Sequence, residues 1–128
     1  MPVQRISAGK PYEQTQPHGP GVVVSGRLLY TSGIVSRDAA GQTVGKGDMA
    51  AQIVQVFSNL EDVLRAAGTD FSRVIKFTIY TTDMEAYLPL RPVVNRYVIN
   101  KPASTLVEVS RLASSDMMVE VEAVVALD

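Results

Sequence analysis

The clearest pattern in the chain lies over residues 49–67. Met49, Ile53, Val56, Phe57, Leu60, Val63, Leu64 and Ala67 recur there at steps of three and four, which gathers them on one stripe of an amphipathic helix. Asp48 is suited to cap its first turn, and Gly68 to end it in a left-handed conformation. The next stretch, "RVIKFTIYTTD", changes period. Ile75, Phe77 and Ile79 alternate with Lys76, Thr78 and Tyr80, as in a strand with one apolar face. A second helix is expected within residues 85–99, with Leu90, Val93, Val94, Tyr97 and Val98 inward. Pro89 and Pro92 restrict where it starts, because proline fits only a first turn. Two strands close the chain, one over residues 105–109 and one over 118–126. In the last, Val119, Val121, Ala123 and Val125 share a face opposite Glu120, Glu122 and Val124.

Upstream, "VVVSGRLLYTSG" consists of two short apolar runs about Gly26-Arg27 and predicts a tight β-hairpin. Residues 8–21, "AGKPYEQTQPHGPG", and the segment "SRDAAGQTVGKGD" predict loops. The order is strand, strand, helix, strand, helix, strand, strand. Two amphipathic helices covering one face of a mixed sheet make an α+β two-layer sandwich. Its opposite face would carry Lys76, Thr78, Tyr80, Glu120 and Glu122 among Val and Ala. That mixture is too polar for a second helix layer and too apolar for water. We therefore expect further copies of the chain to cover it, with partly polar clefts at the seams.

Composition narrows the possibilities. A length of 128 residues predicts a single domain over residues 1–128 with one core. Basic and acidic residues number 12 and 13 for a net charge of −1, and the basic ones are dispersed, which disfavours nucleic acid as a partner. Cysteine is absent, excluding disulfides and thiol nucleophiles. The lone His18 excludes a multi-histidine metal site within one chain. No window predicts a signal peptide or membrane span, so the expected location is cytoplasmic.

Five segments carry a resemblance: "LLYTSGIV", "AQIVQVFSNLEDVLRAAG", "RVIKFTIYTTDM", "PASTLVEVSRLA" and "VEVEAVVAL". From Val22 to Leu127 the chain resembles the Rid family of reactive intermediate deaminases, also called YjgF or L-PSP proteins. The resemblance implies a chorismate-mutase-like α+β fold and a homotrimer with small-molecule clefts between subunits. It also implies hydrolysis of imines and enamines to a keto acid and ammonia, without metal or cofactor. In such members an arginine after the Pro-Ala pair of the penultimate strand grips the substrate carboxylate. Here that position is Ser104. A bidentate arginine–carboxylate pair contributes about 1.5–3 kcal/mol, so its loss should weaken amino-acid-derived imines about ten- to a hundredfold or more.

The family's water-holding glutamate matches Glu120, and its serine-glycine pair matches Ser32 and Gly33. A helix asparagine is replaced by Arg91, which would return a cation to the cleft from another element. The aromatic residue of the N-terminal loop is out of phase: Gly19 falls near its position, and Tyr12 comes too early. Each candidate also has an ordinary reading. Glu120 would be a solvated strand carboxylate, Ser104 a strand-edge residue, Arg91 an exposed helix arginine and His18 an exposed loop residue. Gly33 would supply a φ that other residues avoid, and Glu122 would be structural, paired with Lys76 or an arginine. Three functions follow: an imine hydrolase using Glu120 with Ser32, Gly33, Arg91 and Ser104; a non-catalytic metabolite-binding trimer; and a ribonuclease. The charge and the lack of a paired histidine set count against the last.

Overall fold

The computed structural model describes residues 3–128. Six strands and three short-to-long helices are formed: β1 Val3–Ile6, β2 Gly21–Val24, β3 Leu28–Tyr30, α1 Met49–Ala66, β4 Val74–Thr81, α2 Met84–Tyr87, α3 Arg91–Val94, β5 Ala103–Glu108 and β6 Val119–Ala126. The main sheet has the order β3-β6-β4-β5. Only its β4–β5 pair is parallel. Helix α1 and the α2–α3 segment pack on one face, giving the expected two-layer α+β sandwich.

Helix α1 follows its apolar stripe. The Asp48 carboxylate accepts from the Ala51 N–H at 3.0 Å. At the other end Gly68 has φ +76°, and Thr69 N–H reaches Leu64 O while Gly68 N–H reaches Arg65 O. These two bonds form a Schellman motif, satisfying carbonyls the last turn would otherwise leave free. Ile53, Val56, Leu60 and Leu64 are fully buried against Val121 and Val125 of β6 and Val74 and Phe77 of β4. Phe57 stacks on Tyr97 with ring centroids 4.4 Å apart. Ala67, expected inward, is exposed.

One buried polar residue lies on the same stripe. Gln52 donates to Gly45 O at 3.0 Å and Asp116 O at 2.8 Å, and accepts from Met118 N–H at 2.8 Å. It thus joins two loops to the helix with every bond satisfied. Farther along, Asn59 donates to Val35 O and Arg37 O, ordering the long connection between β3 and α1.

Several boundaries differ from expectation. The β2–β3 hairpin does not form. Gly26 does make a turn, at φ +102°, but the Arg27 backbone is bonded to the chain end, its N–H to Asp128 Oδ2 and its carbonyl to Leu127 N–H. This commits β3 to β6, while β2 pairs antiparallel with β1 in a separate two-stranded sheet. In β4 the register slips between Val74 and Lys76, so Val74 joins the core cluster in place of the expected Ile75. The second helix is interrupted. Turns of 3₁₀ helix at Leu88–Leu90 and Asn95–Tyr97 separate and follow α2 and α3, as two prolines lacking N–H donors require. Strand β5 begins two residues before the predicted start, at Ala103.

Tyr87 was absent from the predicted inward set but is 2% exposed. Burial pushes its hydroxyl up to about 12, with Arg91 opposing the shift. The folded state therefore favours neutral Tyr87. Its contribution is complete below the ordinary tyrosine pKa of about 10 and is lost as pH rises through about 12. Spectrophotometric titration should show a late-ionising tyrosine that Tyr87→Phe removes.

Candidate functional site

The pairing registers sort the predicted site residues onto two faces of the sheet. On β4, Phe77 and Ile79 face the helices, and their β5 partners are Ser104 and Leu106. Ser104 therefore lies on the helix side. It lines a pocket of 590 Å³ together with Arg91, Tyr87, Val98 and Leu106. The pocket is a wedge between edge strand β5 and the α2–α3 segment, and residues 15–18 form part of its wall. Arg91 is exposed and has no carboxylate within ion-pair distance among the described residues.

Glu120 occupies the opposite face, paired with Tyr80 of β4. Tyr80 donates to Glu122 Oε1 at 2.5 Å. That bond, followed by desolvation and the charges of Glu122 and Glu120, raises the Tyr80 pKa. The expected Lys76–Glu122 pair is not formed. Lys76 instead donates to Thr105 Oγ1 on β5, because the register sets it opposite Ala103 and Val124 rather than Glu122.

Ser32 and Gly33 are brought to Glu120 by an irregular continuation of β3. Ile34 exchanges both backbone bonds with Val121, and Thr31 N–H donates to Ala123 O. Thr31 Oγ1 also accepts from Ala123 N–H. The two residues between these anchors bulge out, and neither N–H has an acceptor among the described residues. Gly33 does not have positive φ, so the expected conformational reason for glycine is wrong. What distinguishes the position is proximity: a Cβ there would overlap the Glu120 carboxylate, with Cδ only 2.7 Å away, and would force that side chain to move. The sequence carried the serine-glycine pair but no sign of this contact.

The remaining sequence candidates lie in the N-terminal strap. Tyr12 is 62% exposed, in a 3₁₀ turn at Pro11–Thr15. His18 is half-buried and lines the Ser104 pocket. Gly19 N–H donates to Pro102 O at 3.0 Å, tying the strap to the start of β5. Lys101 completes the attachment, with Nζ donating to Glu13 O and Gln16 O. Asn100 and Lys101 both have positive φ, 64° and 55°, an uncommon conformation for side-chain-bearing residues. The Lys101 tether was not visible from sequence. Lys101→Met is expected to increase hydrogen exchange at residues 13–19 while leaving exchange in α1 unchanged. Equal protection of the strap in both proteins would contradict the tether.

A single chain does not bring the five candidates together. Arg91 and Ser104 are on the helix side at the β5 edge, whereas Ser32, Gly33 and Glu120 are on the opposite side, along β3 and β6. Strand β4 separates β5 from β6, and adjacent strands are about 4.8 Å apart. The outer face remains open in the isolated chain, with Tyr30 71% exposed. Among the described residues, no helix is long and apolar enough to cross a membrane.

Comparison with known proteins identifies the family. The family model "Endoribonuclease L-PSP" matches residues 5–127. A RutC family protein of Pyrococcus horikoshii is 36% identical over 103 residues, covering 80% of this chain and 81% of its relative. Bovine 2-iminobutanoate/2-iminopropanoate deaminase is 30% identical over 120 residues, covering 93% and 86% of the two chains. Among solved structures, the Rid family protein YyfB of Yersinia pestis superposes with a TM-score of 0.88 at 27% identity, covering 98% and 99%. The similarity extends over almost the whole chain and takes in both the strap and the sheet, so this protein belongs to the Rid/YjgF/L-PSP family.

Proposed function

We propose that the protein is a homotrimer that hydrolyses an imine or enamine in clefts between subunits. The observation carrying this reading is the Glu120 carboxylate seated on Gly33, where any Cβ would displace it. The division of Arg91 and Ser104 from Ser32, Gly33 and Glu120 supports a composite cleft, since a neighbouring copy can bring its outer sheet face to the β5 edge. The imine deaminases among its relatives point to the same chemistry.

In this mechanism Glu120 orients a water molecule and accepts its proton as the oxygen adds to the C=N carbon. The proton passes to nitrogen, giving a carbinolamine. Its hydroxyl proton then moves to nitrogen as the C–N bond breaks, leaving the carbonyl and expelling ammonia. An enamine enters the same route once its carbon is protonated to the imine. Proton transfer by a positioned carboxylate contributes about 10²–10⁴ in rate. The exposed Ser32 and Gly33 amides can contact the substrate, while Ser104 offers a hydroxyl without charge. Imines generated by an amino-acid oxidase, including 2-iminopropanoate, should decay faster with the protein present. If no imine decays faster, charged or neutral, the hydrolase reading is wrong.

The serine at position 104 favours a second reading, a metabolite-binding trimer that has kept the cleft and lost turnover. Ligand retention without turnover in the unaltered protein would select it. RNA binding is disfavoured by the dispersed charge. A ribonuclease reading would require RNA affinity that falls steeply with salt.

A further inference from the structure

Resting on the hydrolase reading, we propose that the Ser104 pocket selects imino acids with bulky apolar side chains and that Arg91 binds their carboxylate at its rim. Three observations point to this specificity. In the isolated chain the pocket, of 590 Å³, has room for much more than a three-carbon imino acid. Its floor is apolar: Ile79, Tyr87 and Val94 are 4%, 2% and 3% exposed, with Leu106 and Val98 half-buried beside them. Ser104 is the short side chain that leaves this space open, whereas an arginine at the same point would project into it.

Charge supplies the second half of the inference. Among the described residues, Arg91 is the only permanently charged side chain lining the pocket, and no aspartate or glutamate lines it. It is not engaged by a carboxylate among the described residues. Asn95, four residues farther along, also lines the pocket and so sits on the same side of the helical segment. A guanidinium and an amide together offer a carboxylate several donors in a defined direction. The substrate carboxylate would then be held on the helical side, and its apolar group would extend toward Leu106 and Val98. Each buried methylene should tighten binding about fourfold.

Stable 2-oxo acids, the hydrolysis products, test the pocket without turnover. In calorimetric titrations 4-methyl-2-oxopentanoate and phenylpyruvate should bind about ten- to a hundredfold more tightly than pyruvate. Arg91→Ala should weaken both by about ten- to a hundredfold, with Arg91→Lys between the two. Ser104→Arg should reverse the order by filling the space and favouring pyruvate. Equal affinity for large and small acids, no binding at millimolar concentration, or an unchanged affinity in Arg91→Ala would each overturn the proposal. The two readings can fail separately. Imines hydrolysed with the smallest preferred would overturn this specificity alone, whereas bulky 2-oxo acids bound without hydrolysis of any imine would overturn the hydrolase reading alone.

Discussion

Glu120→Gln is expected to lower imine hydrolysis by about 10²–10⁴, the usual contribution of a positioned proton carrier, while leaving binding of a 2-oxo acid within a few-fold. Glutamine keeps the shape of the side chain but cannot take a proton from water. A more searching test is Gly33→Ala, which leaves the carboxylate chemically intact. Its Cβ would come against Glu120 Cγ and Cδ, at 3.1 and 2.7 Å, and the side chain must move. Displacement of a reacting group by about 1 Å can cost about a hundredfold. We therefore expect kcat to fall about a hundredfold in Gly33→Ala, with an unfolding midpoint near that of the unaltered protein. If both substitutions leave hydrolysis unchanged, Glu120 has no part in the chemistry.

The largest expected effect on stability is at Gln52, not at an apolar core position. Gln52→Leu nearly conserves volume and increases apolarity, changes that ordinarily favour burial. Here it would leave the Gly45 and Asp116 carbonyls and the Met118 N–H without their partner. An unsatisfied buried polar group costs about 1–3 kcal/mol. Allowing for partial relaxation, the loss should be about 3–5 kcal/mol, a large part of the 5–15 kcal/mol typical of a folded domain. Urea denaturation at fixed protein concentration should show a lower midpoint with an unchanged slope. A midpoint equal to that of the unaltered protein would mean that the three groups find other partners. Gln52→Glu separates shape from bonding, because it keeps an acceptor for Met118 N–H but loses both donors to the carbonyls.

How much could be read beforehand depends on the range of the interaction. The α1 stripe, its Asp48 and Gly68 ends and the alternation of β4 and β6 are local regularities, and the structure follows them closely. The bulge at Val74/Lys76 is invisible in the same alternation, because nothing near Ile75 signals an extra residue. The hairpin expectation failed for a related reason. Gly26 does turn the chain, but pairing is decided by Leu127 and Asp128, which take the Arg27 backbone from the other end of the sequence. The candidate site residues show the same division. Glu120, Ser32, Gly33, Arg91 and Ser104 were all singled out in the sequence, yet which of them share a face was not.

From sequence alone came most element types, the ends of α1 and the family resemblance, since these depend on side-chain order along short stretches. Tertiary structure alone decided that the Glu120 carboxylate lies over Gly33, that Gln52 joins two loops, and that Lys101 fastens the strap. It also turned Ser104 and Glu120 to opposite sides of one sheet. Such relations arise from strand register and through-space contact between distant segments, and the local pattern of apolar and polar residues contains neither.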